Sequence, residues 1–116
     1  MMMSISEQLK NPGNSCILLV SNHRKIVGFT PNFLRIWNLP EVIIKSLSDQ
    51  RALEFVSERF DNPKLFLKDM TEIYEQTHLE INEKVQLKDG RIIQRHSKPL
   101  CFKGVYAGRL WRFERN

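Results

Sequence analysis

The spacing of hydrophobic positions changes twice along the chain, dividing it into a strand region, a helical region and a second strand region. Cys16–Val20 is an unbroken apolar run, the pattern of a strand covered on both faces. The polar Ser21-Asn22-His23-Arg24 separates it from a short strand at Lys25–Phe29, and the two read as a hairpin whose turn lacks a glycine. From Thr30 the period becomes helical. Thr30-Pro31 offers a hydroxyl able to cap free N–H groups and a proline pre-set for the first helical position, ahead of the stripe Phe33, Leu34, Ile36 and Trp37. Asn38 suits the left-handed residue that ends a helix, and Pro40 blocks its continuation. A short helical turn is expected around Val42–Lys45. Ser48 is the next cap, before Ala52, Leu53, Val56 and Phe60 at helical spacing. Asn62-Pro63 opens a further helix with Phe66, Met70, Ile73 and Tyr74 on its buried face.

After Thr77 the period becomes two. Leu79, Ile81, Glu83, Val85 and Leu87 form one mostly apolar strand face, alternating with Glu80, Asn82, Lys84 and Gln86. Lys88-Asp89-Gly90-Arg91 is a tight-hairpin signal, Ile92–Lys98 is the returning strand, Pro99–Gly104 a loop and Val105–Phe113 the last strand. Paired strands at both ends with three or four helices between them predict an α+β fold, one antiparallel sheet with the helices packed on one face. Ser4-Ile5-Ser6-Glu7 has capping-box spacing and Asn11-Pro12-Gly13-Asn14 breaks the chain. Residues 1–14 therefore read as a lead-in segment, a short helix or an unstructured start, and residues 15–116 as the domain.

Composition narrows the class. A length of 116 residues fits one compact domain, and the 41% apolar and 27% charged fractions are those of a globular chain. The longest apolar run is far below the roughly 20 residues a membrane span needs, and residues 1–10 lack a secretory pattern, so a cytoplasmic protein without direct membrane contact is expected. Cys16 and Cys101 lie far apart in sequence, without a CxxC pair or a His partner at metal-ligand spacing. They are expected to be free thiols, with no metal site. The excess of 18 basic over 13 acidic residues falls largely on Arg91, Arg95, Lys98, Lys103, Arg109, Arg112 and Arg115, which leaves a small basic nucleic-acid-binding domain as an alternative function.

Several segments, in order, resemble the PAS family of signalling domains. Lys25-Ile26-Val27 is similar to the family's first hairpin, Thr30-Pro31-Asn32-Phe33 to the start of its first helix, and Ile36-Trp37-Asn38-Leu39-Pro40 to the end of that helix. Leu87-Lys88-Asp89-Gly90-Arg91 resembles the hairpin between the third and fourth strands. Ser97-Lys98-Pro99, with Gly108-Arg109-Leu110-Trp111-Arg112-Phe113, resembles the closing pattern. The chain departs from the family at the first turn, where Asn22-His23-Arg24 stands in place of Asp and Gly, and after the last strand, where the Asp-x-Thr motif is missing. The resemblance implies a PAS fold: a five-stranded sheet in the order 2-1-5-4-3 with helices around a small cavity.

It also implies a non-catalytic sensory domain, a homodimer that binds a small ligand or partner and modulates a covalently attached output domain. The parent would be a bacterial sensor histidine kinase or cyclic-dinucleotide enzyme. Cavity candidates are Phe33, Trp37, Phe55, Met70, Tyr74, Arg95, His96 and Trp111. No cofactor is expected: the middle helices carry no cysteine for flavin photochemistry, and His78 and His96 read as helix-end and sheet histidines rather than haem ligands. His96 is placed facing the helices beside Ile92 and Gln94, which makes it the one mid-strand candidate for a small cavity enzyme. An inward guanidinium from Arg95, Arg109 or Arg112 would suit a carboxylate ligand. No Gly-rich phosphate loop, HExxH or nucleophile motif is present.

Overall fold

The computed structural model describes residues 16–115; the lead-in segment expected over residues 1–14 lies outside the described residues. Strands β1 (Ile17–Ser21) and β2 (Ile26–Phe29) open the fold. Helices α1 (Pro31–Trp37), α2 (Glu41–Lys45), α3 (Asp49–Ser57) and α4 (Pro63–Glu75) follow, before β3 (Ile81–Gln86), β4 (Ile92–Phe102) and β5 (Val105–Arg115). The strands form one antiparallel sheet in the order β2-β1-β5-β4-β3, the expected topology. β1 pairs with β5 from Ile17↔Arg112 to Ser21↔Gly108, so the two ends of the described chain meet at the centre of the sheet. That central place accounts for the unbroken apolar run of β1, where neighbours on opposite faces, Ile17 and Leu18, are both buried. The core joins Leu18 and Val20 of β1 and Trp111 and Phe113 of β5 to residues from the helices on one face.

The caps work largely as the residues dictate. Ser48 accepts from the N–H of Arg51 and Asn62 from that of Leu65. Asn38 ends α1 in the left-handed conformation, φ 51°. Thr30 differs. Its hydroxyl does not cap α1 but accepts from the N–H of Ile17 across the hairpin (3.0 Å), tying the helix start to the first residue of β1.

The expected loop at Pro99–Gly104 is instead mostly strand. β4 runs through Pro99 to Phe102 and turns back at Lys103-Gly104, both with positive φ (51° and 80°), as a two-residue turn requires. Pro99 is accommodated because β3 ends opposite Ser97, so no β3 residue needs its missing N–H. The Asp89-Gly90 hairpin is wider than a two-residue turn: Leu87 N–H donates to the Arg91 carbonyl, and Asp89 Oδ1 accepts from the Arg91 N–H. Gly108 sits where β5 crosses β1; a Cβ there would lie 2.1 Å from the Val20 carbonyl oxygen.

Candidate functional site

Between the sheet and the helices lies a cavity of about 30 Å³, room for about two waters. Its floor is Leu18, Val85, Arg95, Trp111 and Phe113 of the sheet. Its walls are Phe33 and Trp37 of α1, Asp49, Ala52, Leu53 and Val56 of α3, and Phe66 and Met70 of α4, with Phe60 between the last two helices. Aromatic rings set its shape. Trp37 meets Phe113 edge-on with centroids 5.3 Å apart, Trp111 lies parallel to Phe113, and Phe60 stacks on Phe66 at 4.2 Å.

Two charged side chains break this apolar lining. Asp49 is fully buried at the first position of α3. Its Oδ2 accepts from Arg24 Nε at 2.9 Å, whereas Oδ1 has no partner in hydrogen-bond geometry among the described residues. Burial raises the Asp49 carboxyl above its ordinary value of 3.8, against the opposing pull of Arg24. Arg24 takes up its position through a positive φ of 63° at the site where a glycine would be usual, and its guanidinium lies 3.9 Å from the centre of the Tyr74 ring. The Tyr74 hydroxyl in turn accepts from Trp111 Nε1 at 2.9 Å. Burial, with the Asp49 charge next in weight, raises the Tyr74 phenol so that it keeps its proton. A polar chain thus runs from the β1–β2 turn through α3 and α4 to β5.

Arg95 is buried on the cavity face of β4. Its Nε donates to Glu83 Oε1 at 2.9 Å and Nη2 reaches the same oxygen, while Nη1 faces Met70 Sδ at 3.5 Å. Glu83 is the residue directly opposite on β3, so the carboxylate that interrupts an apolar strand face finds its partner across the ladder. Arg109, fully buried, donates to Ser97 Oγ and to the carbonyls of Gln76 and Leu79, which closes the C-terminal end of α4.

No protein-family model matches the sequence, and no characterised protein matches it at the sequence level. Solved structures of similar fold do match. This chain superposes on the PAS domain of BvgS from Bordetella pertussis with a TM-score of 0.69 at 10% identity, covering 100% of this chain and 88% of that one. The fold is that of a PAS domain. The sensor region of a sensor histidine kinase matches with a TM-score of 0.65 at 10% identity, over 86% of this chain and 38% of that chain, so this chain spans well under half of that one. The LOV protein of Rhodobacter sphaeroides matches at 0.58 and 15% identity, over 98% of this chain and 66% of that one.

The PAS fold places Phe33, Trp37, Met70, Arg95 and Trp111 around the cavity. It leaves three other candidates outside the lining. Phe55 falls off the stripe Asp49, Ala52, Leu53, Val56 and is half-buried beneath the Arg59 guanidinium. Tyr74 is buried in the polar chain beside the cavity rather than in its wall. His96 points away from the helices: Ile93, Arg95 and Ser97 face inward, and His96 lies on the other face with Ile92 and Gln94, 3.8 Å from Glu114. The adjacent Ile92 and Ile93 gave the strand an apolar residue on each face, so its parity was ambiguous in sequence. Asp49 was missed because an acid in a helix's first turn is ordinary, and its burial depends on the distant Arg24 turn docking over it.

The late basic residues do not form one patch. Arg95 and Arg109 are interior, Arg91 pairs with Asp89, and Arg112 lies 3.4 Å from Glu114. Neither Cys16 nor Cys101 lines the cavity. His78 and His23 are both exposed. Among the described residues no three His, Cys, Asp or Glu side chains gather as a metal site, and no helix is long and apolar enough to cross a membrane.

Proposed function

We propose that this PAS domain is a non-catalytic sensory module whose cavity takes a small molecule, without haem or flavin, and whose state regulates a covalently attached output domain. The observation that carries the reading is the cavity itself, an apolar space bordered by the buried Asp49 and Arg95 at the junction of sheet and helices. Occupancy presses Trp37 and the α3 and α4 walls away from Trp111 and Phe113, biasing the packing of helices against β5. A sensor histidine kinase is the favoured parent, because such a protein supplies a structural relative, with a cyclic-dinucleotide enzyme as the other. The module acts in the cytoplasm, a reading supported by Cys16 and Cys101 being free thiols. It pairs as a homodimer through its lead-in segment or the outer sheet face, where Ile92 is exposed.

Native mass spectrometry of freshly purified protein, with an absorption spectrum, tests this directly. A bound small mass without a Soret or flavin band is expected. No bound mass, together with no metabolite from a broad library that raises Tm, would contradict the sensory reading; a chromophore band would overturn its cofactor-free form.

A further inference from the structure

We infer that the tip of the β4–β5 hairpin is a docking wedge for the surface of an anionic phospholipid bilayer. Phe102 and Val105 enter the headgroup region, and the lysines around them meet the lipid charge.

The tip stands clear of the sheet. β3 stops opposite Ser97 and β1 stops opposite Gly108, so Cys101–Ala107 has no strand on either side. β1 begins and β5 ends at the other end of the sheet, so the tip points away from both described ends of the chain. The turn at Lys103-Gly104 sets Phe102 directly opposite Val105, and each is 67% exposed. Two apolar side chains on a projection, rather than in a groove, suit a soft surface that yields to them.

Charge says which surface. Neither residues 90–113 nor residues 16–40 contain an Asp or Glu. The arginines of β4 and β5 are spent within the fold: Arg95 pairs with Glu83, Arg112 with Glu114, and Arg109 is buried on Ser97 and two carbonyls. Lys25, Lys98 and Lys103 are exposed and make no ion pair among the described residues. Lys103 is in the turn itself and Lys98 lies behind it on β4. Lys25 follows the β1–β2 turn, whose Asn22 N–H donates to the Ala107 carbonyl. An ammonium on a flexible stem suits a diffuse field of lipid phosphates, whereas protein interfaces favour arginine over lysine. An acidic protein groove is thereby the lesser match. The expectation of no direct membrane contact rested on the length of apolar runs, which limits a spanning helix and not a two-residue wedge. So small a wedge docks reversibly, orienting the domain rather than anchoring it.

Co-sedimentation with vesicles tests this, comparing phosphatidylcholine alone with phosphatidylcholine mixed with phosphatidylglycerol. Binding to the mixed vesicles only, weakening as salt rises, is expected. Phe102→Ser with Val105→Ser should weaken it about tenfold, and Lys98→Gln with Lys103→Gln about thirtyfold. Leu65→Ser, equally a loss of an exposed apolar side chain but at the start of α4, should leave binding unchanged. No binding to the mixed vesicles at low salt would overturn the proposal. Binding that survives the loss of Phe102 and Val105 would also overturn it, as adsorption by charge alone. Tighter capture by soluble polyglutamate than by the mixed vesicles would do the same, with an acidic protein as the occupant.

Discussion

Asp49 is a carboxylate held in the core against its preference, and this has a consequence for pH. In the unfolded chain it ionises near its ordinary 3.8, whereas burial holds the proton on in the folded chain to higher pH. Between those values the folded state binds more protons, so stability falls as pH rises from about 4 until the folded group has ionised. Asp49→Asn removes the titration. Thermal unfolding of both proteins at about pH 4 and pH 7 should show the wild type losing Tm relative to the variant as pH rises; parallel curves would contradict the burial cost. None of this is legible in Ser48-Asp49-Gln50, which reads as a cap and an exposed acid. The information lies in Arg24, whose left-handed φ and reach over Tyr74 depend on the folded turn. Glu83 is the opposite case. Its place among Ile81, Val85 and Leu87 marks a face where a charge needs a partner, and the register supplies Arg95.

At the level of elements, β3 and β4 are joined through that pair. The Arg95 side chain is 7% exposed and Glu83 about half exposed, so removing Glu83 strands a buried guanidinium while the carboxylate itself was partly solvated. Glu83→Leu should cost about 2 kcal/mol, below the range for a fully buried pair, and adding Arg95→Met should recover most of it. Urea unfolding of the single and double variants measures both. The β1–β5 crossing depends on Gly108. Gly108→Ala drives a methyl group into the Val20 carbonyl and should cost at least about 2 kcal/mol in the same assay, while Gly104→Ala, at the open turn, should cost less. Helix starts and ends were readable because Asn38, Ser48 and Asn62 act locally on their own backbone. The Pro99 stretch was not, because a proline is tolerated or excluded by whether a neighbouring strand lies beside it, which is a tertiary fact.

Over the whole molecule, the sheet brings the first and last described strands together and leaves α1, α3 and α4 to wall a space that no single element contains. The topology was legible from the order of periodicities and turns, since strand pairs at both ends leave few sheets to build. Cavity size was not, because it is the residue of packing among Trp37, Phe113, Phe60 and Phe66 rather than a property of any of them. Methyl NMR under xenon pressure tests the cavity most directly. Leu18, Leu53, Val56, Met70 and Val85 should show saturable shifts, and exposed Val27, Val42 and Val105 should not. Absent saturation in the first group, or equal shifts in the second, would contradict a cavity at the junction of sheet and helices.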